Sequence, residues 1–117
     1  MVRTKQGEER MKEMDMCDDL NRKAFLVDMD GVINKGETLI PGASRFVDRL
    51  NQGGHKYIFL TNNSYHTPSD LQQRMSEMGI DVSVDHFYTS AMATASFLRY
   101  QMPGCSAYVI GGRGLLL

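Results

Sequence analysis

The chain has 117 residues, 42% of them hydrophobic, which is enough for one small domain with its own core. Its 13 Lys and Arg nearly balance 14 Asp and Glu, so neither a basic nucleic-acid-binding face nor an acidic tail is indicated. No apolar run reaches membrane-spanning length, and the first residues lack the apolar stretch of a signal peptide. We therefore expect a soluble cytoplasmic protein with no nucleic-acid or membrane partner.

Two segments differ in character along the chain. Residues 1–22 are polar and highly charged, with only Met11 and Met14 at helical spacing, which predicts an N-terminal arm without chemistry. From residue 23 to residue 117, short apolar runs alternate with longer amphipathic segments, which is typical of an α/β fold with a parallel sheet. Cys17 and Cys105 are too few for a disulfide framework, and we expect both to be free thiols.

The first predicted unit is a strand followed by a helix. Residues 24–27 are continuously apolar, as expected for a strand buried on both faces, and the strand runs directly into Asp28. Further along, Gly53 and Gly54 end a segment with apolar residues at helical spacing, namely Ala43, Phe46, Val47 and Leu50. One face of this helix is expected to pack on the sheet.

The second predicted unit repeats the pattern. An apolar strand at residues 57–60 runs into the polar residues 61–64, and Thr67, Pro68 and Asp70 form the start of a helix. Another helix is predicted to begin near Ser90, with Ala91, Ala95 and Leu98 on its packed side. After a turn at Pro103, residues 107–110 are predicted to form a third buried strand.

Polar residues follow both of the first two strands. Ligands bind beyond the carboxyl ends of strands in parallel α/β sheets, so Asp28, Asp30, Thr61 and Asn62 are predicted to share one crevice. Two carboxylates at positions i and i+2 would repel each other, and a hard dication relieves that repulsion. Carboxylate oxygens favour Mg²⁺ over zinc, so we expect Asp28 and Asp30 to bind magnesium.

These residue types suit phosphoryl transfer. An aspartate can attack phosphorus to form an aspartyl-phosphate, and a second carboxyl group can exchange a proton with the leaving oxygen and later with water. A threonine hydroxyl and nearby amides can stabilise charge on the phosphoryl oxygens. Asp28 taken alone is better explained as a turn or capping residue. Only the combination with Asp30 and with the Thr61 segment favours a catalytic role for Asp28.

The motifs resemble those of the haloacid dehalogenase superfamily. Residues 25–32 fit its first motif, hhhDxDGV, and residues 60–63 fit its second. The segments at residues 40–43, 88–91 and 108–111 narrow the resemblance to the NagD-like branch, called class IIA. Together they cover roughly residues 24–115, and the combination is far more specific than DxDGV alone.

The resemblance implies a Rossmann-like parallel sheet and specific roles. Asp28 is then the nucleophile and a magnesium ligand, and Asp30 is the general acid/base whose carbonyl also binds the metal. Thr61 and Asn62 bind the transferring phosphoryl group. Family members also have a phosphoryl-neutralising lysine, an acidic pair and a cap domain, all beyond the matching segment, so we expect an incomplete core with little activity of its own.

The resemblance further implies a hydrolase for small phosphorylated metabolites such as sugar phosphates or nucleoside monophosphates. One alternative is a non-catalytic remnant that binds phosphate or metal weakly. Another is a phospho-acceptor receiver domain, in which the acceptor aspartate is expected at the end of a later strand. Absent neighbours beside residues 24–27 would leave an exposed edge strand, so we expect a poorly soluble chain or a homo-oligomer.

Overall fold

The computed structural model describes residues 23–116, and these residues form a parallel sheet with helices. In chain order the elements are β1 (Ala24–Asp28), β2 (Asn34–Lys35), β3 (Thr38–Leu39), α1 (Ala43–Gln52), β4 (Lys56–Thr61), α2 (Pro68–Glu77), β5 (Phe87–Thr89) and α3 (Ser90–Gln101). The predicted N-terminal arm, with Cys17, lies outside the described residues. Cys105 is an exposed free thiol.

The main sheet has three parallel strands in the order β1–β4–β5. In its register Asp28 lies opposite Leu60, and Leu60 lies opposite Tyr88. The strands β2 and β3 form a separate antiparallel pair between β1 and α1 in the sequence. The prediction of an α/β fold with a parallel sheet, and with the first strand at its margin, is confirmed.

The core lies on one face of this sheet. The strands contribute Val27, Phe59 and Phe87, and the two helices α1 and α2 contribute Val47, Leu50, Leu71 and Met75. Phe59 and Met75 are fully buried. Because both helices bury their apolar side against the same face, this cluster accounts for most of the hydrophobic stabilisation of the domain.

The prediction that the first strand is buried on both faces is wrong. Leu26 is 74% exposed and Ile58, its partner on β4, is 38% exposed. Side chains alternate between the faces of a strand, so the residues on either side of Leu26 reach the core while Leu26 does not. Leu26 therefore points to solvent on the other face of the sheet.

The position of the third strand also differs from the prediction. Residues 107–110 form no strand, and Tyr108 is 94% exposed. The third strand is β5, which pairs with β4 and buries both Phe87 and Thr89. A strand forms only where a neighbouring strand pairs with its backbone hydrogen-bonding groups. Residues 107–110 have no such neighbour among residues 23–116, and their apolar pattern alone does not reveal this.

The helix starts agree with the sequence. Thr67 and Asp70 form a reciprocal capping box at the start of α2, with Pro68 in the first turn. The Thr89 hydroxyl accepts the Met92 amide at the start of α3. On α3 the predicted packed side is only partly right, since Ala91 is buried but Ala95 is exposed. None of the helices in residues 23–116 is long and apolar enough to cross a membrane.

Candidate active site

The two aspartates of the DxD motif are both exposed at the carboxyl end of β1. The amide of Met29 donates to the carbonyl of Leu60 at 3.2 Å, so the pairing of β1 with β4 continues one residue past Asp28. Met29 is buried in the core, whereas Asp28 and Asp30 are exposed. Side chains alternate along an extended segment, so the burial of Met29 leaves its two neighbours toward solvent.

A tight turn follows Asp30 and fixes its backbone. The carbonyl of Met29 accepts hydrogen bonds from three successive amides, those of residues 32–34. The amide of Gly31 donates to the carbonyl of Asn34 at 2.8 Å. Gly31 has a φ of 81°, a left-handed conformation that glycine adopts without steric cost. The motif therefore needs glycine here so that the chain can fold back against itself directly after Asp30.

The second motif begins where β4 ends. Thr61 is buried, and its Oγ1 accepts the amide of Asn63 at 3.1 Å. This bond uses the oxygen as an acceptor and leaves the hydroxyl proton for donation to a ligand. Asn62 is exposed, and its carbonyl accepts the Ser90 hydroxyl at 2.9 Å. The start of α3 thereby supports the loop that carries Asn62.

A turn late in the chain packs against the same loop. The amide of Gly114 donates to the carbonyl of Tyr65 at 3.0 Å. A Cβ atom at position 114 would collide with the backbone carbonyls of Ser64 and His66. Glycine at 114 thus permits the close approach by which residues 113–115 support the segment after Asn63.

The register brings the predicted site residues to one edge of the sheet. Asp28 ends β1, Thr61 ends the neighbouring β4, and Asn62 follows directly. Asp30 and Thr61 also line one small cavity of about 30 Å³. A wider open groove of about 830 Å³ lies elsewhere, between α2 and residues 81–83. We place the site at the sheet edge because the groove lacks a comparable set of converging catalytic groups.

The donor set at this edge fits a hard cation in part. Asp28 and Asp30 are both exposed and supply two carboxylates. The carbonyl of Asp30 accepts no hydrogen bond from residues 23–116, so its oxygen is available as a third ligand. Oxygen ligands of this kind suit Mg²⁺, which keeps several waters and is bound by one or two carboxylates together with substrate phosphate. Within the described part of the chain, no group of three His, Cys, Asp or Glu residues could hold a metal ion.

Sequence reasoning missed three polar residues beside the site. Asn34, His66 and Arg74 line the same cavity as Asp30 and Thr61. Arg74 Nη1 lies 2.8 Å from His66 Nε2. A signal for Arg74 was present, because it lies three residues after Leu71 and four before Met78 and so shares their side of α2.

Comparisons with known proteins show the family and support the fold. A sequence profile of a haloacid dehalogenase-like hydrolase family matches residues 25–116. An acid sugar phosphatase of Staphylococcus aureus is 43% identical over 93 residues, which are 80% of this chain and 36% of the relative. The chain therefore spans about a third of the length of the curated relatives that it matches.

Solved structures show the same relationship. NagD from Escherichia coli K-12 superposes with a TM-score of 0.74 and 40% identity, over 82% of this chain and 37% of that one. A 4-nitrophenylphosphatase from Thermotoga maritima superposes with a TM-score of 0.74 and 29% identity, over 82% of this chain and 37% of that one. The receiver-domain alternative receives no support from these matches. The chain belongs to the haloacid dehalogenase-like hydrolase family.

Proposed function

We propose that this chain supplies the nucleophile and the phosphate-binding loop of a magnesium-dependent phosphatase that acts on small phosphorylated metabolites. The observation that carries the proposal is that the exposed Asp28 and Asp30 lie at the end of β1, beside the end of β4 that carries Thr61. Family membership supports phosphate ester hydrolysis as the reaction class. The role assigned to each residue rests on its position and on the chemistry of its side chain.

Asp28 is the proposed nucleophile. Its carboxylate is exposed at the end of β1, and Oδ1 accepts the amide of Met29 at 2.9 Å, which orients the group and leaves Oδ2 for attack. Attack on phosphorus forms an aspartyl-phosphate and breaks the bond to the leaving alcohol oxygen. Water then attacks phosphorus, releases inorganic phosphate and restores the carboxylate.

Asp30 is the proposed general acid/base. It is exposed two residues after Asp28, and the turn through Gly31 fixes its backbone. In the first step its carboxyl group donates a proton to the leaving oxygen. In the second step the carboxylate takes a proton from the attacking water, so the group returns to its starting state after each turnover.

Thr61 and Asn62 are the proposed phosphate-binding residues. The Thr61 hydroxyl keeps its proton for donation, because its oxygen is the acceptor in the bond from the Asn63 amide. The exposed Asn62 follows on a loop that Ser90 supports. Donors fixed before the reaction stabilise charge on the phosphoryl oxygens without reorganising at the moment of transfer.

The carboxylates of Asp28 and Asp30 and the Asp30 carbonyl are the residues that would hold Mg²⁺. When bound, the ion supplies positive charge that offsets the charge of the carboxylates and of the phosphoryl oxygens. The family resemblance also implies a phosphoryl-neutralising lysine and an acidic pair beyond the matching segment, and we therefore propose that the chain alone turns over slowly. A non-catalytic role is the competing proposal, and it predicts no turnover in any context.

The substrate proposal stays at the level of small phosphate monoesters. One similar protein is named an acid sugar phosphatase and another a 4-nitrophenylphosphatase. The exposed site at the sheet edge has no wall that would select a leaving group among the described residues, so 4-nitrophenyl phosphate is a suitable probe.

The test compares the 117-residue chain with a chimaera in which its residues 24–116 replace the matching segment of the S. aureus acid sugar phosphatase. We expect the chimaera to hydrolyse 4-nitrophenyl phosphate with Mg²⁺, to lose activity with EDTA, and to exceed the chain alone by ~10²-fold or more. Asp28→Asn should abolish turnover, while the matched control Asp48→Asn, at an exposed position on α1, should not. An inert but folded chimaera would support the non-catalytic alternative.

A further inference from the structure

The peptide group between residues 62 and 63 is held at both of its polar ends. Its carbonyl, that of Asn62, accepts the hydroxyl of Ser90 at 2.9 Å. Its amide, that of Asn63, donates to Thr61 Oγ1 at 3.1 Å. The peptide bond is planar and trans, so its carbonyl and its N–H point in opposite directions and cannot rotate independently. The Ser90 hydroxyl therefore restrains the same rigid unit that bonds the Thr61 oxygen.

The strand register places Ser90 beside this peptide. Thr89 lies opposite Thr61 in the pairing of β5 with β4. Ser90 and Asn62 are the next residues after that pair on the two adjacent segments. Thr89 is buried, and its hydroxyl accepts the Met92 amide at 3.3 Å, which fixes the start of α3. The sheet and the helix cap together thus set the position of the Ser90 hydroxyl.

Thr61 Oγ1 is the end of this arrangement that bears on phosphate binding. The Thr61 side chain is buried, and its oxygen accepts the Asn63 amide while its own proton stays available to a ligand. A carbonyl that accepts a hydrogen bond polarises its peptide, and the N–H of that peptide then donates more strongly. The bond from Ser90 thereby strengthens the bond that holds Thr61 Oγ1 and restricts the directions in which the Thr61 proton can point.

We propose that Ser90 is a positioning residue of the phosphate-binding loop, which orients the Thr61 hydroxyl through the peptide between residues 62 and 63. The purpose of this link rests on the proposed function, because it assumes that Thr61 binds the phosphoryl group. The hydrogen bonds of the link do not depend on that assumption. Because Ser90 acts through Thr61, its effect on turnover should depend on the Thr61 hydroxyl.

The first measurement is amide hydrogen exchange by NMR on the 117-residue chain, which needs no turnover. In Ser90→Ala we expect exchange of the Asn63 amide to become ~3- to 10-fold faster, while amides in the centre of β4 keep their rates. Ser90→Thr keeps the hydroxyl and should restore most of the protection. The matched control is Thr94→Ala, because the Thr94 hydroxyl bonds the Ser90 carbonyl and not the loop. It should leave the Asn63 rate unchanged.

The second measurement is a double-mutant cycle for hydrolysis of 4-nitrophenyl phosphate by the chimaera. Ser90→Ala should lower kcat by ~3- to 10-fold where Thr61 is present. Where Thr61→Val has already removed the hydroxyl, the further loss from Ser90→Ala should be less than ~2-fold. A residue that only stabilised the fold would lower kcat by the same factor in both backgrounds.

Two results would overturn the proposal. One is an unchanged Asn63 exchange rate in Ser90→Ala, and the other is an equal loss of kcat with and without the Thr61 hydroxyl. An inert but folded chimaera would contradict the proposed function and the purpose of the link. The exchange rates of the 117-residue chain would still show whether Ser90 holds the peptide, so the two failures are distinguishable.

Discussion

Asp28 lies opposite Leu60 in the parallel pairing of β1 with β4, so Thr61 is the first residue beyond that pair on the neighbouring strand. This relationship puts Asp28 and Thr61 at the same end of two neighbouring strands without any long-range loop. Its accuracy depends on the strand register, and the register is fixed because Val27 and Phe59 must both point into the core. The hydrophobic pattern of the strands thereby sets the spacing of the site.

Replacing the Thr61 hydroxyl tests the phosphate-binding role. In the chimaera, Thr61→Val should lower kcat for 4-nitrophenyl phosphate by ~10²- to 10³-fold, because a donor aimed at the phosphoryl oxygens is lost. Thr61→Ser keeps both the donor and the acceptor for the Asn63 amide and should retain most of the activity. Steady-state kinetics of both variants check this prediction. Equal kcat values in the valine and serine variants would contradict a phosphate-binding role for Thr61.

The capping box of α2 predicts a loss of stability in acid. The Asp70 pKa is lowered, first by the hydrogen bond from the Thr67 amide and then by that from the Thr67 hydroxyl. A group with a lowered folded-state pKa contributes stability that is present above its unfolded value, near 3.8, and lost as the pH falls through the folded value. Asp70→Asn should flatten this acid slope in urea titrations at several pH values, and an unchanged slope would contradict the assignment.

Thr67→Ala tests one of the two hydrogen bonds of the same capping box separately from the other. It removes the hydroxyl that accepts the Asp70 amide, and we expect the free energy of unfolding to fall by about 1 kcal/mol. The backbone bond from residue 67 to Asp70 remains, so much of the acid slope should persist. Thr94→Ala, at an exposed position within α3, is the control and should change stability by less than ~0.5 kcal/mol.

The exposed first strand predicts self-association. Leu26 is 74% exposed on β1, and the outer edge of β1 pairs with no strand in residues 23–116. An uncovered apolar edge favours pairing with another chain, and a lysine there opposes it. Leu26→Lys should therefore shift the 117-residue chain toward monomer in light scattering, whereas Val32→Lys, in the exposed loop after Gly31, should not. A parent chain that is already monomeric would contradict this expectation.

Much of the fold could be predicted from local signals. The polar residues directly after two apolar runs located Asp28 and Thr61 at strand ends, and the structure places both there. Thr67 and Asp70 marked the start of α2 because capping uses contacts only three residues apart. Signals of this kind depend on neighbours in sequence and do not require knowledge of tertiary contacts.

The features that were missed depend on contacts far apart in the chain. Residues 107–110 and 87–89 both have strand-like composition, and only the pairing with β4 distinguishes them. The exposure of Leu26 likewise depends on which helices cover which face. The cavity lined by Asn34 and Arg74 joins residues 40 positions apart, and no periodicity in the sequence indicates that they meet.

The central claim is that Asp28 carries the phosphoryl group during turnover. The most direct measurement is to quench the chimaera during hydrolysis of 4-nitrophenyl phosphate, reduce the acyl phosphate with borohydride, and map the modified residue by peptide mass spectrometry. Reduction of an aspartyl-phosphate converts that aspartate to homoserine. We expect homoserine at position 28, dependent on Mg²⁺ and absent from Asp28→Asn. An unmodified Asp28 in an enzyme that turns over, or modification at Asp30 instead, would contradict the account.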